Sequence, residues 1–147
     1  MFRHTRRWSK SFDIFDMEKI FFPINISNHH WVLVIALMQE RRIIFRDALG
    51  AEGQKYVCVV FGYIIEEMKT RKGHVMLQEE QDEWVLEFEV PGDSPRQDNG
   101  FDCGMFVCMY ADYMLQDLPE QFNQQNMPML RGKFCYCVLT GNLIYTV

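Results

Sequence analysis

Residues 29–49 read HHWVLVIALMQERRIIFRDAL, and this stretch decides the fold. Eight apolar residues in succession, 31–38, are followed by the polar QERR and then by a second apolar segment. An apolar run of this length, bounded by a polar turn, is typical of a buried strand, and its return after the turn predicts a hairpin. A hairpin that turns near residues 38–39 would bring Asp47 back beside His30.

The segments on either side of the hairpin predict its neighbours. Residues 20–26 read as a strand that Pro23 breaks, which favours an edge position. Between residues 53 and 70, apolar residues recur at spacings of three and four, as in a helix with one core-facing stripe, and TRKGH marks its end. In residues 83–90, Trp84, Leu86, Phe88 and Val90 alternate with polar or smaller side chains, as in a half-buried strand.

Two more helices are predicted towards the carboxyl end. The first covers residues 102–116, and the second begins in NQQNMPML, with Asn126 as a cap and Pro128 in the first turn. Strands, helix, strand, helix and helix in this order predict an α+β fold. No linker or repeat interrupts the order, so residues 1–147 are expected to form a single domain.

Charge, hydropathy and cysteine usage exclude several classes of function. The net charge of −5 argues against a nucleic-acid partner, which needs a basic stripe. The longest apolar run has eight residues, whereas a membrane span needs about 20, so no membrane partner is expected. Five cysteines without CxxC spacing indicate reduced thiols, with neither disulfides nor a metal site, and no cofactor is expected.

One cysteine stands apart from the others. In QDNGFDCG, residues 97–104, Cys103 follows polar residues where a loop turns into the predicted helix. The free N–H groups and the dipole at a helix start favour an anion, so a cysteine there is placed to react as a thiolate. The remaining four cysteines are expected to be small apolar packing residues: Cys58, Cys108, Cys135 and Cys137.

A nucleophilic cysteine requires a base, a group that orients the base, and donors for the oxyanion. Of the four histidines, His30 shares a hairpin with Asp47, whose carboxylate could fix the imidazole tautomer. Gln97, six residues before Cys103, offers a side-chain N–H for the oxyanion beside the backbone N–H of Cys103. Taken singly, a strand histidine is more often structural, and a loop glutamine is more often surface, so these roles depend on the cysteine.

The motifs HHW, FRDAL and PRQDNGFDCGMFVCMYADYM together resemble the ubiquitin-like-protein-specific cysteine proteases, the sentrin or SUMO protease family. The resemblance extends from about Arg7 to the carboxyl terminus. It implies a papain-like cysteine protease fold of the SUMO protease type, with a small central mixed sheet flanked by helices. It also implies that the family's amino-terminal helical portion is missing from this chain.

The resemblance assigns a role to each candidate residue. It implies Cys103 as the nucleophile, His30 as the base, Asp47 as its orienter and Gln97 as the oxyanion donor. Trp31 would form one wall of a narrow tunnel that admits a Gly-Gly tail. A looser match implies that a basic segment faces the ubiquitin-like domain: Arg7, Trp8 and Lys10.

The implied activity is cleavage after the carboxyl-terminal Gly-Gly of a SUMO-like modifier, in precursor processing and deconjugation. The implied partners are this modifier and SUMO-conjugated proteins, and the protein is expected to act as a monomer in the nucleus or nucleocytoplasm. Ala48 departs from the family, which usually has a serine there. Two alternatives stay open: a truncated, inactive relative that only binds a ubiquitin-like protein, or a protease for NEDD8-type modifiers or ubiquitin.

Overall fold

The predicted hairpin forms the middle of a four-stranded sheet in the structure, a computed structural model that describes residues 8–144. The strands are β1 (Lys19–Ile26), β2 (His30–Leu37), β3 (Arg42–Arg46) and β4 (Val85–Glu87), and they lie side by side in this order. Residues 32–37 of β2 are all buried, as the apolar run predicts. β3 pairs with β4 in parallel, which makes the sheet mixed.

Four α-helices accompany the sheet within residues 8–144, so the α+β prediction is confirmed. They are α1 (Gln54–Glu67), α2 (Gln78–Asp82), α3 (Cys103–Leu115) and α4 (Met127–Thr140). α1 continues as a π-helical turn over Met68–Lys72 and ends at Gly73, whose φ of 65° is the left-handed value that favours glycine. Pro128 lies in the first turn of α4, as predicted.

The sequence prediction differs from the structure in two elements. The strand expected at residues 83–90 is only three residues long. Before it, Trp84 N–H donates to the Gln81 carbonyl in a turn at 3.1 Å; after it, the Phe88 carbonyl accepts a hydrogen bond from Gly53 N–H at 2.8 Å, at the start of α1. Helix α2 was not predicted, since QEEQD has no apolar periodicity. Glu80 accepts a hydrogen bond from Leu77 N–H at 2.7 Å and so caps this short helix.

Contacts between Cα atoms divide the chain into two units. Among the described residues, the first unit contains those up to Phe22 together with Val34–Phe45 and Glu52–Glu89. The second contains Pro23–Leu33, Arg46–Ala51 and the described residues from Val90 onward. None of the helices within residues 8–144 is long and apolar enough to cross a membrane.

A buried polar network fixes the amino-terminal segment within the first unit. The Glu67 carboxylate is buried, and it accepts hydrogen bonds from Ser9 Oγ at 2.7 Å and Arg71 Nε at 2.6 Å. Tyr63 donates its hydroxyl to Ser9 Oγ at 3.0 Å, and its ring centroid lies 6.1 Å from that of Trp8. A buried carboxylate needs such partners, so this network holds the chain around Ser9 on α1.

Helix α3 packs on an aromatic cluster within the second unit. Phe106 and Tyr110 of this helix pack on Phe122, with ring centroids 5.6 and 5.3 Å away. The Tyr110 hydroxyl donates to the Pro95 carbonyl, and burial raises the pKa of this hydroxyl. The helix and the loop that precedes Cys103 are therefore held together from inside.

Most of the remaining cysteines do not pack as predicted. Cys58, Cys108 and Cys135 are exposed, and Cys137 is half-buried. Each lies on a helix whose apolar contacts are made by other residues, so the packing prediction was wrong for the three exposed thiols. Cys103, by contrast, is buried.

Candidate active site

The hairpin brings His30 and Asp47 together. β2 begins at His30 and β3 ends one residue before Asp47, so the two side chains share one end of the strand pair. Nε2 of His30 lies 2.6 Å from Oδ1 of Asp47, and the Asp47 carboxylate is buried. Because Nε2 is engaged in this hydrogen bond, Nδ1 is the ring nitrogen that can accept a proton from another group.

Backbone donors orient the Asp47 carboxylate. Oδ1 accepts the N–H of Leu49 at 2.9 Å, and Oδ2 accepts the N–H of Ala51 at 3.0 Å. Together with the imidazole, these donors compensate for the burial of a charged group. The turn after β3 therefore holds the carboxylate at the angle that the histidine requires.

A second loop braces this turn from the other side. Arg96 donates through Nη1 to the Asp47 carbonyl at 3.1 Å, and Gln97 N–H donates to the Ala48 carbonyl at 3.0 Å. Ala48 is buried at this junction. The residues that carry Asp47 and those that lead to Cys103 are thus joined by direct hydrogen bonds.

Replacing Gly50 by alanine is expected to damage this junction. Gly50 has a φ of +78°, and a Cβ at this position would lie 2.2 Å from Nη1 of Arg96. Strain at a left-handed position and displacement of Arg96 should together lower the free energy of unfolding by about 1–3 kcal/mol. Urea denaturation measures this loss. Gly92→Ala is the control, because a Cβ there meets open space; equal losses in both variants would contradict the expectation.

Cys103 is the first residue of α3 and is only 5% exposed. The first helical hydrogen bond runs from Phe106 N–H to the Asp102 carbonyl at 3.0 Å, so the N–H groups of the preceding residues have no intrahelical acceptor. Free N–H donors and the dipole at a helix start interact favourably with an anion. The predicted placement of the thiol at a helix start is what the structure contains.

Trp31 connects the hairpin to this helix start. A Cβ built on Gly104 would lie 3.7 Å from Cδ1 of Trp31, within van der Waals contact. Trp31 immediately follows His30 and is 41% exposed, so it is not the core aromatic that a buried strand would suggest. The hairpin end that carries the His30–Asp47 pair therefore lies against the first turn of α3.

Gln97 is buried in the loop before α3. Its Nε2 donates to the Asn99 carbonyl at 2.5 Å, and its Oε1 is buried without a hydrogen-bond partner among the described residues. One of the two Nε2 hydrogens remains available to another acceptor. Gly100 lacks a left-handed φ, and a Cβ at this position would meet open space, so the backbone of the loop does not require a glycine here.

The sequence reasoning missed a group of residues around Asp102. This buried carboxylate is bonded by Asn99 Nδ2 at 2.7 Å, by Gln124 Nε2 at 2.6 Å and by Arg131 Nε at 3.0 Å. Burial alone would raise the pKa of Asp102, but these donors outweigh it and lower the pKa below its usual value. Asp102 could have been singled out from the sequence, because it directly precedes the candidate nucleophile. No pattern in the sequence predicts the contribution of Gln124 or Arg131.

The proposed modifier-facing residues lie elsewhere in the chain. Trp8 is 62% exposed, and Lys10 is also exposed. Both belong to the first unit, whereas the residues described above belong to the second. Arg7 lies outside the described residues.

Comparison with known proteins gives consistent matches. Residues 1–138 match the model of the Ulp1 protease family, C-terminal catalytic domain. The chain is 32% identical to sentrin-specific protease 2 of rat and of human over 143 residues, which is 97% of this chain and 24% of either relative. It therefore spans about a quarter of the length of these curated relatives.

Solved structures agree with the sequence matches. The C-terminal Ulp1 protease domain in complex with Smt3, the yeast ortholog of SUMO, is 29% identical with a TM-score of 0.78, over 95% of this chain and 61% of that chain. The Chaetomium thermophilum Ulp1-like SUMO protease catalytic domain is 25% identical with a TM-score of 0.68, over 91% and 51%. The expected SUMO-protease type of fold is confirmed, and the chain belongs to the Ulp1 protease family.

Proposed function

We propose that this chain is a cysteine peptidase that cleaves after the carboxyl-terminal Gly-Gly of a SUMO-like modifier. The observation that carries the proposal is the 2.6 Å contact between His30 and Asp47, on a hairpin end whose Trp31 lies beside Gly104 in the helix that Cys103 begins. A histidine oriented by a carboxylate beside a thiol at a helix start is the arrangement that nucleophilic catalysis requires. Membership of a protease family supports it.

The chemistry follows from the direction in which each group points. Nε2–H of His30 donates to Asp47, so Nδ1 accepts the proton of Cys103 and the thiolate attacks the carbonyl carbon of the terminal glycine. The backbone N–H of Cys103 and the Gln97 amide stabilise the resulting oxyanion. His30 returns the proton to the leaving amine, and the C–N bond breaks to leave a thioester.

Water completes the reaction at the same site. His30 takes a proton from a water molecule, which attacks the thioester carbonyl and forms a second oxyanion. The C–S bond then breaks, the modifier leaves with a free carboxylate, and Cys103 is regenerated. Asp47 remains a carboxylate throughout and stabilises the imidazolium that forms twice in each cycle.

Specificity for a Gly-Gly tail is proposed to come from Trp31. Its indole is 41% exposed and lies beside the first turn of α3, where the reacting carbonyl must arrive. A flat ring that forms one wall of a narrow tunnel would admit a backbone without side chains and exclude bulkier residues. The exposed Trp8 and Lys10, with Arg7, would contact the folded part of the modifier.

The partners are proposed to be a SUMO-like modifier and proteins conjugated to it. The similar Ulp1 domain was crystallised with Smt3, the yeast ortholog of SUMO, which supports this class of partner over NEDD8 or ubiquitin. We also propose that the protein acts as a monomer in the nucleus or nucleocytoplasm, as the resemblance implies.

A modifier that carries an electrophile in place of its carboxyl terminus tests the proposal directly. Incubation with the SUMO probe should give a covalent adduct, and peptide mass spectrometry should place it on Cys103 rather than on the exposed Cys58, Cys108 or Cys135. A matched SUMO probe ending in Ala-Ala should react at least tenfold more slowly. Adducts only on the exposed cysteines, or equal rates for both tails, would contradict the proposal.

Ubiquitin and NEDD8 probes with the same electrophile decide the modifier. The same site chemistry serves the related tails of ubiquitin and NEDD8. A difference in labelling rate between the probes therefore reports on how the protein recognises the folded part of the modifier. Faster labelling by ubiquitin or NEDD8 than by SUMO would replace the proposed substrate and leave the chemistry intact. Tight binding of SUMO without any adduct would favour the noncatalytic alternative.

A further inference from the structure

Asp102 carries a negative charge immediately before the residue that must become a thiolate. Its side chain is buried, and the lowered pKa keeps it ionised at neutral pH. A like charge close to a thiol opposes its ionisation, commonly by one pKa unit or more. A site that relies on the Cys103 thiolate therefore needs this carboxylate to be neutralised or turned away.

Three separate segments hold the Asp102 carboxylate. Asn99 reaches it from the same loop, Gln124 from the 3-10 turn Gln124–Asn126, and Arg131 from α4. Of these three, only Arg131 is charged. Its guanidinium contacts Oδ1 through both Nε and Nη2, and Nη2 also donates to the Phe101 carbonyl at 3.3 Å. The contact with Oδ1 places a positive charge on the Asp102 carboxylate, and the bond to the Phe101 carbonyl fixes the position of the guanidinium on the loop.

The same segments support the rest of the loop. The Asn99 side-chain oxygen accepts the N–H groups of Phe101 at 3.1 Å and Asp102 at 3.0 Å. Gln124 also accepts the N–H of Asp98 at 3.2 Å. The chain from Gln97 to Cys103 therefore has its geometry set by contacts that converge on Asp102.

We propose that Arg131 is a positioning residue for the nucleophile: it holds and neutralises Asp102, so that the adjacent carboxylate does not oppose the Cys103 thiolate. This inference rests on the proposed function. The hairpin and the loop that leads to the helix also carry Asp47, Arg96 and Asp98. Arg131 is the cation that donates to Asp102 from α4. The Arg131 side chain is 48% exposed, so its removal leaves no buried cavity.

The pH dependence of Cys103 alkylation by iodoacetamide tests the inference without any modifier. Peptide mass spectrometry follows Cys103 alone in the wild type and in Arg131→Gln. Loss of the guanidinium should raise the pH midpoint by about one unit, which slows alkylation about tenfold at pH values below the midpoint. In cleavage of the SUMO precursor, kcat should fall by a similar factor with KM within about twofold, since the substitution acts on the charge beside the nucleophile and on no residue proposed to bind the modifier.

Two further variants separate charge from structure. Arg131→Gln combined with Asp102→Asn removes both charges, and its midpoint should return to that of the wild type. Arg131→Lys keeps the charge without the planar fork, and its midpoint should lie close to the wild-type value. Arg41→Gln, which breaks an exposed ion pair with Glu83 in the first unit, is the matched control and should leave the midpoint unchanged.

Two results would overturn the inference. The first is an unchanged alkylation midpoint in Arg131→Gln. The second is a double variant whose midpoint is shifted as far as that of the single variant, because lost geometry rather than lost charge would then be responsible. Failure of the proposed function looks different, because wild-type protein would then form no adduct with the SUMO probe whatever its alkylation midpoint. The two failures can therefore be told apart.

Discussion

Cys103→Ala is expected to abolish cleavage of a SUMO precursor, with a fall in rate of at least about 10⁵-fold, while modifier binding is retained. No other described group at the start of α3 can form the thioester, and loss of a nucleophile costs about 10⁶-fold in a well-studied serine protease. Alanine suits the first turn of a helix, and the lost sulfur is small, so the fold should persist. Release of a fluorophore from the modifier's carboxyl terminus measures the rate, and calorimetry measures binding.

Cys108→Ala is the matched control for this experiment. Cys108 lies in the same helix but is exposed, and the same substitution there should change the rate less than twofold. Turnover by Cys103→Ala within tenfold of the wild type would refute the assigned nucleophile. Absence of turnover in the wild type, with binding intact, would instead establish the noncatalytic alternative.

Asp47→Asn is expected to lower the cleavage rate by about 10³- to 10⁴-fold, because an amide cannot reproduce the contacts of this carboxylate. Oδ1 accepts from His30 and Leu49, while Oδ2 accepts from Ala51. If the amide nitrogen takes the Oδ2 position, it meets the N–H of Ala51, donor against donor. If it takes the Oδ1 position, it donates to Nε2 of His30, and the proton moves to Nδ1.

Either arrangement of the amide harms the reaction. In the first, the turn that carries residue 47 loses a hydrogen bond; in the second, the histidine is in the wrong tautomer and cannot accept the thiol proton. The wrong tautomer costs about 10⁴-fold in a serine protease triad. Steady-state kinetics should show the loss in kcat, and ¹⁵N chemical shifts of the imidazole should show the tautomer.

Asp98→Asn provides the control for the loss of a carboxylate. Asp98 is exposed in the loop before α3, and only its backbone N–H takes part in a described hydrogen bond. The rate should change by less than twofold. An Asp47→Asn enzyme with more than a tenth of the wild-type activity would show that His30 does not depend on Asp47 for its orientation.

The sequence predicted the hairpin and the helix start because both are governed by local patterns. The apolar run at 31–38 and the polar turn after it set the register that pairs His30 with Asp47, and the observed 2.6 Å contact follows from that register. The position of Cys103 at a helix start likewise follows from the change between a polar loop and an apolar periodicity. Local patterns were therefore sufficient to predict the positions of the hairpin and of the helix start.

Contacts between distant segments could not be predicted in this way. Arg131 follows Asp102 by 29 residues, and no periodicity connects them. Arg96 braces the turn at Asp47 across 49 residues. The same limit applies to the shortened β4, which is followed by a backbone hydrogen bond from the distant Gly53. Tertiary hydrogen bonds of this kind depend on the assembled fold, which residue patterns alone do not describe.

The second unit draws on three stretches of chain that are far apart in sequence: Pro23–Leu33, Arg46–Ala51 and the residues from Val90 onward. Contacts of such high sequence separation form late and slowly during folding. His30 and Cys103 belong to two of these stretches, so the base and the nucleophile of the proposed reaction can meet only after the stretches have assembled.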